Sequence, residues 1–197
     1  MLMRRAVLLS GLLVAALVLQ AAAQARILVV EVRFAGPVQD GPEAGNYYIA
    51  LSTAPGLLSG PTPTGENWTH YVLYQRGRFF FARVRTVDLP RSLFRTTLPP
   101  EPYPRGRVGP DRRTLVVDLP LILLEPSGRL VGPIKLNVVT TDRWNRPLDA
   151  LGRGPDDPLG FVSFDPDREL FRRVEAPSGN APPGYDIVGV TISLHVP

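Results

Sequence analysis

Cysteine is absent from this 197-residue chain, histidine and methionine occur twice each, and Lys135 is the sole lysine. Without cysteine there is no disulfide, no lipidated cysteine and no thiolate zinc site, so the fold must be held together by its apolar core. The histidines, His70 and His195, fall in two separate strand-like stretches, and no G-x-S-x-G nucleophile elbow accompanies them. That argues against a serine hydrolase. Arginines and acids are interspersed, with no basic stripe of the kind that nucleic acid requires. No stretch beyond residue 25 is apolar for the ~20 residues of a membrane-spanning helix. The 22 prolines and 18 glycines are scattered along the chain, as in folds of many short strands joined by turns rather than of long helices.

What the chain does have begins with MLMRRAVLLSGLLVAALVLQAAAQA. A basic pair at Arg4-Arg5, an apolar run from Ala6 to Leu19 and an Ala23-Gln24-Ala25 end have the layout of a secretory signal peptide. Cleavage after Ala25 is expected. It leaves residues 26–197 as one domain outside the cytoplasm, periplasmic or secreted, with no transmembrane segment. The formal net charge of +4 includes Arg4 and Arg5, so the remaining chain is near +2 and almost balanced.

Residues 68–85, WTHYVLYQRGRFFFARVR, read as a β-hairpin turning at Arg76-Gly77. Pairing outward sets Tyr74 opposite Phe79, Val72 opposite Phe81, His70 opposite Arg83 and Trp68 opposite Arg85. Alternation puts Thr69, Tyr71, Leu73, Phe80, Ala82 and Val84 on one face, expected to be core. Trp68, His70, Val72, Tyr74, Phe79, Phe81, Arg83 and Arg85 share the other, expected to be a second buried layer or a binding surface. Its Trp68/Arg83 end should be accessible, either open to solvent or covered only by the 53–67 loop, since unpaired cations are costly to bury, and Phe79 and Phe81 nearer the turn should be more sheltered.

Other strand-like stretches are Ile27–Phe34, Asn46–Ser52, 93–98, 114–124 with a break or bulge at Pro120, Ile134–Thr141, 160–164 and 185–196. In the last of these Val188, Val190, Ile192 and Leu194 share one face. Residues 53–67 read as a long surface loop, 99–111 as irregular, 147–151 as a helical turn and 167–175 as weakly helical. The pattern predicts an all-β chain: a single-domain antiparallel β-sandwich of about eight short strands. Frequent proline and irregular loops disfavour a transmembrane barrel.

The succession NYYIALST, a Gly/Pro-rich loop, YVLYQRGRFFF, TLVVDLPL and LNVVTTD resembles a group of uncharacterised exported bacterial proteins. More distantly it resembles the DOMON superfamily and the family-nine carbohydrate-binding modules. These resemblances imply a β-sandwich that binds haem or sugars. Haem-binding DOMON domains use a methionine and a histidine as axial ligands, whereas both methionines here, Met1 and Met3, lie in the leader. No cofactor is therefore expected.

Candidate chemistry divides between rings and acids. Trp68, at the end of the long loop, and Trp144, within Asp142-Arg143-Trp144-Asn145-Arg146, offer flat rings beside polar groups, which suits sugar recognition. With His70 and Arg83 on the hairpin, the candidate ligand-binding residues are Trp68, His70, Arg83, Asp142, Trp144 and Asn145. Asp142, Asp149, Asp156, Asp157, Asp165, Asp167 and Glu169 could instead supply the two carboxylates of a glycoside hydrolase, or simply cap turns. Asp165-x-Asp167-x-Glu169 has alternate oxygen spacing but lacks the glycine and distant acid of a calcium loop, so no metal is expected. The expected function is a non-catalytic binding or structural module of the cell envelope, with a glycan or envelope component as partner. Its alternatives are a carboxylate-based glycoside hydrolase and a structural subunit assembling through Ile27–Phe34 or residues 185–196 as edge strands.

Overall fold

The computed structural model of the chain describes residues 26–54, 59–84, 100–125, 132–151, 160–165, 170–174 and 177–195. The expected leader, the strand expected at 93–98, Arg85 and the acids Asp156, Asp157, Asp167 and Glu169 lie outside the described residues. The strands are β1 (Ile27–Phe34), β2 (Asn46–Ser52), β3 (His70–Gln75), β4 (Arg78–Arg83), β5 (Glu101–Pro102), β6 (Gly106–Val108), β7 (Thr114–Pro120), β8 (Ile134–Thr141), β9 (Pro147–Ala150), β10 (Val162–Phe164), β11 (Leu170–Val174) and β12 (Ile187–His195). They build two antiparallel sheets, one ordered β11-β12-β1-β7-β6, the other β10-β8-β2-β3-β4-β5 with β9 also beside β8. The architecture is the expected sandwich, with twelve strands among the described residues rather than about eight.

The smaller sheet follows the simplest rule of strand chemistry. Along β1, Leu28, Val30, Val32 and Phe34 are buried while Glu31 and Arg33 are exposed, so one face meets the core and the other meets solvent. β1 lies between β12 and β7, and Ile27 pairs with His195 at one end of the sheet. Both strands named as possible edges are thus interior. A register shift at Arg33/Phe34 pairs Phe34 with Ile187 and Arg33 with Gly189. The extra residue turns Ile187 into the core and leaves Val188, expected inward, only half-buried.

The larger sheet behaves differently. Every residue of β2 is buried, and so are all of β3 except Gln75. The hairpin has the expected register throughout, closed by Arg76 and Gly77 with φ of 49° and 75°; two positive φ values in succession match the right-handed twist of the flanking strands. Both of its faces are covered. Val72 and Tyr74 join Tyr47, Ile49, Leu51, Leu136 and Val138 in the core between the sheets. Tyr71, Leu73, Ala82 and Val84 join Tyr48, Ala50, Trp68 and Val139 in a second cluster on the outer face. The face expected to be core is buried, but beneath this second layer and not against the opposite sheet.

Several segments depart from expectation. Residues 147–151 contain β9 and residues 167–175 contain β11, in place of helical turns: each finds a free neighbour, β8 or β12, whose unpaired groups it satisfies. Within 99–111, β5 and β6 are two- and three-residue pairings with β4 and β7. The strand entering Pro120 does not continue past it but turns into α1 (Leu121–Leu124), which buries Leu121 and Leu124. At one end of the sandwich Tyr47 packs on Phe34, Tyr74 and Tyr185. Its hydroxyl donates to Gly184 O (3.0 Å) and accepts from Gln39 N–H (2.7 Å).

Val190, paired with Val32, is 1% exposed. Val190→Asp should lower the unfolding free energy by about 3–5 kcal/mol, the usual penalty of an unpaired buried charge. Denaturant unfolding measures it; a loss below about 1 kcal/mol, typical of a surface change, would contradict the inward orientation.

Candidate functional site

Five of the six predicted ligand-binding residues fall into two groups at opposite ends of β2, and Trp68 stands apart. The first is His70 with Arg83. His70 is 4% exposed and stacks on Phe81 at 5.9 Å, so it is more sheltered than the half-buried Phe79 and Phe81, contrary to expectation. Arg83 is exposed as expected, yet occupied: Nε donates to His70 Nε2 (3.2 Å) and Nη2 to Leu123 O (2.8 Å). Since Nε2 accepts, the imidazole proton sits on Nδ1, facing Thr69 Oγ1 at 3.0 Å. Thr69 is free to receive it because its own hydroxyl donates to Leu51 O. Burial, with the Arg83 charge adding to it, lowers the His70 pKa to about 4. The pair bolts β4 to α1 and presents no open donor set.

Trp68 parts company with His70. Asn67 takes a left-handed φ of 62° and β3 begins only at His70, so strand alternation does not reach Trp68. Its ring turns to the outer face, fully buried against Tyr48 (5.2 Å) and Tyr71 (5.8 Å), with Nε1 donating to Thr62 O at 2.9 Å. It has no free face on which a ligand could stack.

The second group is the turn from β8 to β9, where Asp142, Trp144 and Asn145 come together. Asp142 Oδ1 accepts from Trp144 N (2.8 Å) and Arg146 N (2.9 Å), an Asx-type closure. Asn145 adopts φ of 62°, a conformation asparagine tolerates. Its Oδ1 accepts from Asn46 Nδ2 (2.6 Å) and Tyr48 OH (3.0 Å). Trp144 is left 63% exposed, with the Arg143 and Arg146 guanidinium carbons 4.1 and 5.5 Å from its ring centre; Arg143 is also ion-paired with Glu43.

Beside β9 the outer face of the larger sheet opens into a cleft of about 800 Å³, lined by residues of 59–67, by Asn137, Pro147, Leu148, Asp149, Ala150 and Leu151, and by Gly160, Phe161 and Asn180. Its upper wall is a self-bonded turn: Thr62 N–H donates to Glu66 O, and Thr62 Oγ1 accepts from Glu66 N–H. Phe161 lies directly on Gly60, where a Cβ would come within 2.2 Å of the ring, so only glycine permits this contact. Asn137 is completely buried. Its Nδ2 donates to Pro61 O at 2.8 Å, while its Oδ1 has no hydrogen-bond partner among the described residues. The amide orientation is fixed, because a carbonyl opposite Pro61 O would set two acceptors face to face. An unmet buried acceptor costs about 1–3 kcal/mol. Ser52 Oγ, on the same face of β2, is likewise unpartnered.

Sequence reasoning missed Asn137, Phe161 and the 59–67 wall. The available signal was the asparagine itself, amid Leu136, Val138 and Val139 in a strand where that residue is disfavoured. Of the acids singled out, Asp142 closes its turn, and Asp149 Oδ2 accepts from Ile187 N–H at 2.7 Å, tying β9 to β12. Among the described residues no cluster of three or more metal-ligating side chains occurs.

The two tryptophans should respond oppositely to truncation: Trp68→Ala should cost about 3–5 kcal/mol and Trp144→Ala less than about 0.5 kcal/mol, read by denaturant unfolding. The His70 pKa, lower when folded than the ordinary 6.5, makes the folded state bind fewer protons between pH 6.5 and 4. The associated stability is therefore complete above pH 6.5 and is lost as the pH falls toward 4, to a total of about 3 kcal/mol. His70→Gln should flatten the stability profile across that window, and an unchanged slope would show that this group is not its source.

No protein-family model, curated protein or solved structure matches the chain.

Proposed function

We propose that the chain is an exported, non-catalytic binding module of the cell envelope whose ligand class is carbohydrate, held in the cleft on the outer face of the larger sheet. The make-up of that cleft carries the reading. Proline, leucine and phenylalanine side chains stand beside Thr62, Asn67, Asn137 and Asn180, and no arginine or lysine is among the described lining residues. Saccharides present both C–H faces for such walls and hydroxyls for such amides. The leader-like first 25 residues support an extracytoplasmic place for it. The likeness in strand order to family-nine carbohydrate-binding modules and the DOMON superfamily adds a fold analogy only.

A hydrolytic role has less behind it. Asp142 and Asp149, two of the acids that could have served as a catalytic pair, each accept backbone N–H groups, which supports a structural use of their carboxylates.

A glycan-array screen of residues 26–197, followed by calorimetry, tests the proposal. Saturable binding of at least one neutral glycan is expected, undiminished in Trp144→Ala. Binding lost in Trp144→Ala would move the site to the β8–β9 turn. Failure of every glycan to bind up to millimolar concentration, with capture of a protein from envelope extracts instead, would refute the carbohydrate reading.

A further inference from the structure

We infer that the cleft recognises its ligand through Asn137 Oδ1, and that the ligand is an uncharged molecule donating an O–H or N–H to that oxygen. The inference rests on the cleft being the ligand site. Asn137 sits on β8, paired with Ala50 of the fully buried β2, which holds its backbone in register. Its amide is anchored on the other side by Pro61 O at 2.8 Å. What remains is an acceptor of fixed position and direction with no donor among the described residues.

Three features narrow the chemistry. An amide carbonyl takes only donors, so the group that meets it must be a hydroxyl, an amide N–H or a comparable donor. Among the described lining residues the ionisable ones are Glu66 and Asp149, both acids, which act against a carboxylate or phosphate on the ligand. The apolar wall includes Phe161 and Leu148, which requires an apolar flank on the same molecule. A neutral sugar ring, or one bearing an acetamido group, meets all three conditions.

Access to the oxygen is itself part of the recognition. As folded, the atom is covered, and the segment above it is fastened to β8 through the Asn137–Pro61 hydrogen bond. A ligand donor therefore reaches Oδ1 when the Pro61–Glu66 turn yields slightly. That movement exchanges an unmet acceptor for a satisfied one, so it is favoured by ligands that carry a donor and by no others.

The test combines a wild-type measurement with a variant. The Asn137 side-chain amide resonances of the intact protein are followed while cellobiose, N-acetylglucosamine, glycerol and glucuronate are added in turn. Affinity for the tightest probe is then compared in Asn137→Leu, which keeps the branched shape but removes both the acceptor and the Nδ2 donor to Pro61 O. The expected result is a saturable shift with the neutral probes, a weaker response to glucuronate, and about tenfold weaker binding in Asn137→Leu, the usual worth of one hydrogen bond. If a sugar binds but leaves the Asn137 resonances and the Asn137→Leu affinity unchanged, the role of Asn137 is refuted while the carbohydrate reading stands. If the sugars fail but glycerol shifts the amide saturably, the donor rule stands and the carbohydrate reading falls. Glucuronate binding as tightly as the neutral probes, or no probe moving the amide, overturns the inference; the wild-type resonances decide this even if Asn137→Leu does not fold.

Discussion

Burial of the larger sheet on both faces is the constraint on which the rest of the structure depends. A sandwich needs only one covered face per sheet, and the smaller sheet keeps to that, with Glu31 and Arg33 turned to water. The larger sheet carries tyrosine, leucine and alanine on its outer face as well, through Tyr48, Tyr71, Leu73 and Ala82. Those side chains demand a cover, and the chain supplies one from non-strand segments, led by residues 59–67 with Trp68 as the anchor. A loop laid over a flat sheet cannot interdigitate as closely as a second sheet does. The cleft lies where this cover and β9 fail to meet.

Strand register was more legible in the sequence than strand orientation. The Arg76-Gly77 turn determined the hairpin pairing residue by residue because a two-residue turn admits only one register. It did not determine which face meets the opposite sheet, since both are apolar. Short elements were misread for a different reason: β9 and β11 span four and five residues, fewer than either periodicity needs to declare itself. The Leu121–Leu124 turn illustrates the same ambiguity, an apolar run that serves equally as strand or helix until Pro120 ends the ladder.

The candidate site was legible only in part. Asp142, Trp144 and Asn145 are adjacent in sequence and remain together in space. Trp68 and His70 are two residues apart and end on opposite faces, because a left-handed Asn67 lies just upstream and the strand begins after Trp68. Aromatic residues stand out first, whereas the more telling feature is an asparagine set between Leu136 and Val138 in β8. Tryptophan draws the eye because of its size, but a buried amide with one half unmatched carries more information, since its hydrogen-bonding needs are specific and countable.

The pairing of Ile27 with His195 at one end of the smaller sheet has a mechanical side. Tension applied between those two residues would load a single antiparallel pair and then the next, like a zipper, instead of shearing a whole ladder at once. Loaded at Ile27 and His195, the smaller sheet would open along β1 and β12 while the larger sheet, covered on both faces, stays intact.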